Sequence, residues 1–254
     1  MEALKTRLRR LKLVAAAKTL ELRNQEALDG RISYLEFLEL LLEDELAWRQ
    51  SRSHELRLKA SMLDPTKTLQ NYDFSFQGTL DKRRIYDLAT CQFITSKKNI
   101  VFQGKSGVGK THLAQAIGLE AVKQGYSVLK LHINQLLQQL QRSRVEGTFR
   151  RLMKKMCKVD LLIIDDLGLN PLPAEEIRDF YEIVNNRNEN RSLVITTNRQ
   201  FSDYEQVFGG DSVMASVIID RILHNAELLK ILGDSYRVKD LMAGREETGR
   251  VEES

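Results

Sequence analysis

A glycine-rich segment near the middle of the chain has the composition needed to hold phosphate groups. Residues 104–111, GKSGVGKT, fit the pattern G-x-x-x-x-G-K-[ST]. Glycine lets the backbone wrap closely enough for its amides to point at phosphate oxygens, and the helix expected after it adds its positive end. We expect Lys110 to reach the β- and γ-phosphates of a nucleotide and the Thr111 hydroxyl to ligate Mg²⁺. The residues predicted to contact the nucleotide are Gly104, Lys105, Ser106, Gly107, Val108, Gly109, Lys110, Thr111 and His112.

Two neighbouring acids follow an apolar run, VDLLIIDD, at residues 159–166. We expect Asp165 to help hold the magnesium ion and Asp166 to orient or deprotonate the attacking water. Many ATPases with this pattern have glutamate at the second position. Because aspartate is one methylene shorter, slow hydrolysis is also an expectation. A third polar residue, Asn198, ends the apolar segment SLVITTN. Taken alone it is equally typical of a helix cap or a turn, but beside the other motifs it is predicted to lie near the γ-phosphate, where ASCE-type P-loop proteins have a polar residue.

Strand-like and helix-like segments alternate from residue 99 onward and would position these side chains. The strand-like runs are NIVFQG, SVLKLHI, VDLLIID, SLVITTN and AELLKIL. Continuous apolar strands separated by helices are typical of a parallel sheet that is covered on both faces. We therefore predict an α/β domain with a five-stranded parallel sheet flanked by helices.

The segment before this region shows only helical signals. Apolar residues at three- and four-residue steps predict an amphipathic helix over residues 3–27 that ends at Asp29-Gly30. Ser33 and Glu36 have the spacing of a capping box, which predicts the start of a second helix. That helix carries one apolar stripe, made of Leu35, Leu38, Leu42 and Leu46.

These signals predict three parts of the chain. Residues 1–65 form a small all-helical N-terminal domain, whose boundary is set by Pro65 at the end of the second helix. We expect this domain to bind DNA or a partner. Residues 66–244 form the nucleotide-binding domain. Residues 245–254 are a polar tail that we expect to be disordered.

Composition excludes several classes of protein. Of the 254 residues, 42% are hydrophobic and 29% charged, which is typical of a folded globular chain. Only Cys91 and Cys157 are cysteines and no C-x-x-C occurs, so a disulfide scaffold, a zinc ribbon and thioredoxin-like chemistry are excluded. No apolar run approaches the roughly 20 residues of a membrane helix, and the first residues lack the apolar core of a signal peptide. A cytoplasmic protein without a membrane partner is the expectation.

The net charge of +4 conceals two basic clusters. Seven Lys and Arg residues lie within residues 1–23, and seven more lie within residues 141–158, where Glu146 is the only acid. Such clusters are expected on a surface that binds a polyanion, although a solvated helix face gives the same pattern. The members predicted to contact DNA are Lys5, Arg9, Arg10, Arg142, Arg144, Arg150, Arg151, Lys154 and Lys155.

With these motifs the chain resembles the IstB-type transposition helper ATPases, AAA+ proteins related to the bacterial helicase loader DnaC. The resemblance covers nearly everything up to about residue 244. The segments that carry it are SYLEFL at 33–38, DFSF at 73–76, GKSGVGKTHLAQAIG, LLIIDDLG with PLP at 171–173, ITTN, and VIIDRILHNAELLKILGDSYRVKD.

The resemblance implies an AAA+ ATPase of the ASCE P-loop group that uses ATP and Mg²⁺. It makes Arg221 an arginine finger that reaches the ATP of a neighbouring subunit and stabilises charge on the transferred phosphoryl group. It makes Arg237 the second arginine that faces the nucleotide. A finger supplied in trans requires a homo-oligomer. Only 17 residues follow Arg237, so a full C-terminal lid is not expected.

The function implied is ATP-dependent regulation of transposition. The protein would assemble on duplex DNA largely without reading its sequence, hydrolyse ATP when DNA stimulates it, and recruit or stimulate a cognate transposase. A DnaC-like replicative helicase loader is the alternative, but loaders tend to carry a zinc-binding or helicase-specific N-terminal region, and His54 stands alone there. A third class is a small-molecule kinase or a GTPase. No N-K-x-D or T-K-x-D motif for guanine occurs, and Asn198 and Arg221 disfavour a kinase.

Overall fold

The fold was obtained as a computed structural model that describes residues 1–30, 32–76 and 80–236. The chain divides into two compact units, Met1–Leu56 and a larger one from Arg57 onward. The domain boundary predicted after residue 65 stays a prediction. Within the described ranges, no helix has both the length and the apolar character that crossing a bilayer requires.

The first unit is built from helices, as predicted. They are α1 (Glu2–Arg10), α2 (Val14–Gly30) and the start of α3 (Tyr34–Ser61). The capping box is confirmed, because the Ser33 amide donates to Glu36 Oε2 at 2.7 Å and the Glu36 amide donates to Ser33 Oγ at 3.2 Å.

The prediction of a single helix over residues 3–27 is wrong, because the helix is interrupted between the end of α1 and the start of α2. Lys12 adopts a left-handed backbone conformation with φ 60°. Glu45, a buried residue of α3, accepts hydrogen bonds from the amides of Ala15 at 2.7 Å and Ala16 at 3.3 Å. A carboxylate at a helix N-terminus satisfies free amides and complements the helix dipole, so this contact stabilises a new helix start.

The apolar stripe of α3 does not supply the core of this unit. Its four leucines are 45–79% exposed, whereas the neighbouring Leu41 is buried against Ala16 and Leu20. The periodicity therefore predicted the helix correctly but not the face that packs.

The second unit contains the predicted α/β domain. Its helices and strands are α4 (Lys82–Ala89), α5 (Gln92–Thr95), β1 (Asn99–Gly104), α6 (Lys110–Lys123), β2 (Val128–His132), α7 (Ile133–Val145), α8 (Phe149–Lys158), β3 (Leu161–Leu167), α9 (Ala174–Arg187), β4 (Ser192–Thr197), a 3₁₀-helix (Phe201–Asp203), α10 (Tyr204–Val207), α11 (Ser212–Leu223) and β5 (Ala226–Ile231).

The five strands form one parallel sheet in the order β2-β3-β4-β1-β5. Its two faces bury separate clusters, since Ile100 and Phe102 of β1 pack with Leu113 of α6 while Val101 lies in the cluster of Phe180 and Ile218. All five strand predictions are confirmed, and β4 lies between β1 and β3. Because the strands are parallel, their carboxyl ends meet at one edge, where the phosphate-binding motif, the two acids and Asn198 all lie.

Candidate functional site

The glycine-rich segment forms a tight loop between β1 and α6. A Cβ atom on Gly104 would lie 2.3 Å from the carbonyl oxygen of Ile231 in β5, so no larger residue fits there. Gly109 has φ 94°, a left-handed conformation that favours glycine, and it directly precedes α6. Lys110 Nζ donates to the carbonyl oxygens of Gly104 and Lys105 at 2.8 Å each. The loop is therefore held closed around its own lysine, with the N-terminus of α6 at its end.

Asp165 lies at the end of β3 and is almost fully buried. Its Oδ1 accepts hydrogen bonds from the Thr111 hydroxyl at 2.8 Å and the Thr196 hydroxyl at 2.6 Å, and its Oδ2 lies 3.2 Å from Lys130 Nζ. The sequence predicted Thr111 and Asp165 as magnesium ligands, which stays a prediction, but it gave no sign of Thr196 and Lys130. A hydroxyl and a carboxylate beside a phosphate-binding loop are oxygen ligands of the kind Mg²⁺ prefers, so these residues fit the ion.

Asp166 has a backbone conformation that is rare for a residue with a side chain. Its φ is 58°, and it lies in an irregular part of the β3–β4 pairing, between Ile164 and Leu167. Its amide donates to Thr196 Oγ1 at 2.9 Å. The irregularity turns the Asp166 side chain away from the strand alternation and into the wall of the cleft.

His132, at the end of β2, faces Asp166. Its Nε2 lies 3.5 Å from Asp166 Oδ2, and its Nδ1 accepts a hydrogen bond from the Asn134 amide at 3.2 Å. A ring nitrogen that accepts cannot carry the proton, so the proton of the neutral ring lies on Nε2, toward Asp166. Sequence reasoning missed His132, because nothing local to β2 indicates that its end meets the end of β3.

A cleft of about 320 Å³ lies over the loop. The structure brings Asp166 and Asn198 to this cleft together with the loop residues. Three aromatic residues that the sequence did not assign also line it, namely Tyr72, Phe76 and Tyr236.

The aromatic residues are held against the loop. The Tyr72 hydroxyl lies 3.4 Å from the carbonyl oxygen of Val108, and burial raises the pKa of Tyr72 to about 12. The Tyr236 amide donates to the carbonyl oxygen of Gly107 at 2.9 Å, and its ring meets Phe76 edge to face at 5.1 Å. The segments DFSF at 73–76 and DSYR at 234–237, which carry the resemblance, were the available signal, but the sequence alone did not show that Phe76 meets Tyr236.

Arg221 does not lie among the residues that line this cleft. It lies near the end of α11, with its guanidinium carbon 5.0 Å from the ring centre of Tyr181 in α9. Its Nη1 is buried and has no hydrogen-bond partner within the described ranges. Arg237, the other predicted arginine, lies outside the described residues.

The second basic cluster divides into two groups. Arg144 pairs with both oxygens of Asp179, at 2.7 and 2.5 Å, and lies 4.3 Å from the ring centre of Phe149. On α8, Met153 and Met156 are buried, whereas five basic side chains, Lys158 at the end of the helix and four before it, are exposed and have no ion-pair partner in the described part of the chain. The four before Lys158, called here the α8 basic face, are Arg150, Arg151, Lys154 and Lys155.

The N-terminal basic residues divide in a similar way. Lys5 pairs with Glu21 at 2.7 Å, which raises the pKa of Lys5 through that hydrogen bond. Arg9 and Arg10 of α1 and Arg142 of α7 are exposed. Lys5 and Arg144 therefore have structural partners, and the remaining candidates are accessible.

The fold and the site define a AAA+ nucleotide-binding protein. The strand order, the glycine loop before α6, the acids at the end of β3 and the polar end of β4 all lie at one sheet edge. Residues 6–243 match the family described as IstB-like ATP binding protein, and this chain belongs to that family. The resemblance predicted from the sequence is confirmed.

Individual relatives agree with this assignment. The chain is 36% identical to the ATP-binding protein of insertion sequence IS21 from Pseudomonas aeruginosa. The alignment spans 240 residues and covers 94% of this chain and 90% of that protein. Among solved structures, the AMPPCP-bound DnaA of Aquifex aeolicus has a TM-score of 0.56 at 24% identity, over 74% of this chain and 57% of DnaA. The DnaC helicase loader has a TM-score of 0.53 at 25% identity, over 66% of this chain and 98% of the loader.

Proposed function

We propose that this protein is the ATP-hydrolysing regulator of an insertion sequence, that it assembles on duplex DNA, and that it recruits or stimulates the cognate transposase. The observation that carries the proposal is the contact between Thr111 and Asp165 at the loop, in a chain whose relatives belong to insertion sequences. A cytoplasmic location, where such DNA is accessible, is part of the proposal.

The site supports hydrolysis in the following way. The loop amides and Lys110 would hold the triphosphate, and Thr111 with Asp165 would hold Mg²⁺, which neutralises charge on the phosphate oxygens when bound. Asp166, which is turned into the cleft, would accept a hydrogen bond from the attacking water and take its proton. Asn198 would contact the γ-phosphate from the end of β4. His132 would orient the Asp166 carboxylate.

Arg221 would complete the site of a neighbouring subunit. It does not line the cleft of its own chain, and its Nη1 is buried without a hydrogen bond in the described part of the chain, which costs free energy that an anionic partner would recover. An arginine that acts in trans requires a homo-oligomer. Arg237 is proposed to contact the nucleotide from the segment after Tyr236.

The α8 basic face would bind the phosphate groups of DNA. Contacts between Lys or Arg and phosphates position a protein without reading base sequence, which suits a regulator that must accept many target sites. Arg9, Arg10 and Arg142 stay in this proposal, because they are exposed. Lys5 and Arg144 are left out, because their acidic partners would have to be displaced first.

A helicase loader is the second candidate, and the likeness to DnaC favours it. That likeness covers 66% of this chain, whereas the insertion-sequence relative aligns with 94% of it and so includes most of the first unit. The deciding experiment is to measure ATP turnover with duplex and single-stranded DNA and to test co-purification with the transposase and with the replicative helicase. Stimulation by duplex DNA and capture of the transposase are expected. Capture of the helicase alone, with single-stranded DNA as the stimulant, would favour the loader.

A further inference from the structure

The strand β2 directs two basic side chains at the acidic end of β3. Lys130 and His132 are two positions apart, so they lie on the same face of the strand. Lys130 Nζ lies 3.2 Å from Asp165 Oδ2, and His132 Nε2 lies 3.5 Å from Asp166 Oδ2. Each acid of the site therefore has its own basic neighbour, and neither pair was apparent from the sequence.

The pair formed by Lys130 and Asp165 is shielded from water. The side chain of Asp165 is 5% exposed and that of Lys130 is 20% exposed. The two hydroxyl donors, Thr111 and Thr196, both bind Oδ1, whereas the Lys130 ammonium group lies at Oδ2. A buried carboxylate is costly unless it is paired, and Lys130 supplies a positive charge that pairs with Asp165.

We propose that Lys130 is the resident counterion of Asp165 and competes with Mg²⁺ for this carboxylate, so that it sets the affinity of the site for the divalent ion. The inference rests on the proposed nucleotide site. An ammonium group and a divalent cation that approach the same carboxylate repel each other. The flexible lysine stem permits Lys130 to withdraw toward solvent, but breaking the ion pair then opposes metal binding.

The sign of the effect follows from charge. A neutral side chain at position 130 removes the competing cation, so the divalent ion should bind more tightly, by about tenfold for charges a few ångströms apart at a partly shielded site. Lys130→Arg retains the charge and should leave the affinity close to that of the parent. A merely structural lysine would give the opposite result, because its loss would disturb the site and weaken binding of the metal.

The experiment measures metal affinity rather than turnover. Mn²⁺ is titrated into the full chain with saturating ADP, and free Mn²⁺ is followed by electron paramagnetic resonance. Lys130→Met and Lys130→Gln are compared with the parent, so that a folding defect in one variant does not decide the result. Lys123→Met is the matched control, because it removes an exposed lysine of α6 that pairs with Glu120.

The expected result is tighter Mn²⁺ binding in both neutral variants and no change in Lys130→Arg or Lys123→Met. Unchanged or weaker Mn²⁺ binding in the neutral variants would overturn the role of Lys130. Thr111→Val separates this failure from that of the site itself. If this variant binds Mn²⁺ as the parent does, the metal is not held at Thr111 and Asp165, and both proposals fall.

Discussion

The hydroxyl of Thr111 donates a 2.8 Å hydrogen bond to Asp165, a residue 54 positions further along the chain. The contact joins the first turn of α6 to the end of β3 across the sheet. Thr196 adds a second hydroxyl to the same oxygen, so three separate segments converge on one buried carboxylate. Because each contact comes from a different segment, the parts of the site can be tested one at a time.

Lys110→Ala should abolish tight ATP binding and, with it, cooperative assembly on DNA. The lysine would pair with the phosphates, and it also bonds the carbonyl oxygens of Gly104 and Lys105, so its removal affects both the ligand and the loop. Loss of a charged hydrogen-bonding group predicts a decrease in affinity of about 100-fold. The measurement is a titration with a fluorescent ATP analogue, and Lys123→Ala at the other end of α6 is the control. Parent-like affinity would refute the assignment of the loop.

Asp166→Asn should separate binding from hydrolysis. Asparagine has the same shape but cannot take a proton from water, so ATP and DNA should still bind while single-turnover hydrolysis falls by about 10²-fold. The assembled state should then persist longer. Asp87→Asn, at an exposed acid of α4, is the control for the loss of one negative charge. Hydrolysis at the parent rate would show that another group positions the water.

The α8 basic face should contribute to DNA affinity through charge alone. Replacing Lys154 and Lys155 by glutamine should weaken binding about equally for unrelated duplexes. The slope of log affinity against log salt should shrink by roughly 0.9 for each DNA phosphate that the variant no longer neutralises. Adding Arg150→Gln and Arg151→Gln should reduce the slope further. The matched control replaces Arg83 and Lys123, basic residues on other helices, by glutamine. If the slope of log affinity against log salt is the same in the two double variants, the basic side chains of α8 are only solvated and do not contact DNA.

Local patterns predicted much of the fold and part of the site. The five strands, the loop and the capping box of Ser33 and Glu36 depend on residues that are close in sequence, and all are confirmed. Glu45 of α3 contacts Ala15 at the start of α2, and Lys130 contacts Asp165. These partners are 30 and 35 positions apart in the sequence, and no hydrophobic periodicity encodes such contacts. The same limit explains Arg144, which contributed to a basic cluster in the sequence but pairs with Asp179 in the structure.

Glu45 gives a test of the helix break that the sequence missed. Burial opposes its charge, but hydrogen bonds from Arg49, Ala16 and Ala15 outweigh it and hold the pKa of Glu45 below its usual value. A lowered pKa stabilises the fold above the unfolded pKa of about 4.3, and this contribution is lost as pH falls through the lower folded value. Glu45→Gln should cost about 1–3 kcal/mol. Hydrogen exchange at the amides of Ala15 and Ala16 is the measurement.

Glu39→Gln changes an exposed acid of the same helix and should leave exchange at both amides unchanged. In the parent, the protection of both amides should fall as pH drops through the lowered pKa of Glu45. If Glu45→Gln protects Ala15 and Ala16 as well as the parent does, the carboxylate does not hold the start of α2.

Arg221→Ala should leave ATP binding nearly intact but reduce DNA-stimulated hydrolysis by about 10³-fold, as expected for an arginine that acts on the transition state. The guanidinium lies against Tyr181 and outside the cleft of its own chain, so its loss should not disturb the nucleotide. Arg178→Ala, which removes an exposed arginine of α9, is the control. A large loss of ATP affinity in Arg221→Ala would contradict a role confined to the neighbouring subunit.

Mixing two inactive variants distinguishes action in trans from action in cis. Arg221→Ala chains retain a complete acidic site, and Asp166→Asn chains retain the arginine. At an interface where the Arg221→Ala chain holds the nucleotide and the Asp166→Asn chain supplies its arginine, one competent site is rebuilt, because the first chain has an intact Asp166 and the second an intact Arg221. Hydrolysis in the mixture should exceed that of either variant alone and should follow the fraction of such pairs as the mixing ratio changes. If cross-linking confirms mixed oligomers and no activity returns, Arg221 acts within its own chain or only holds α11 in place.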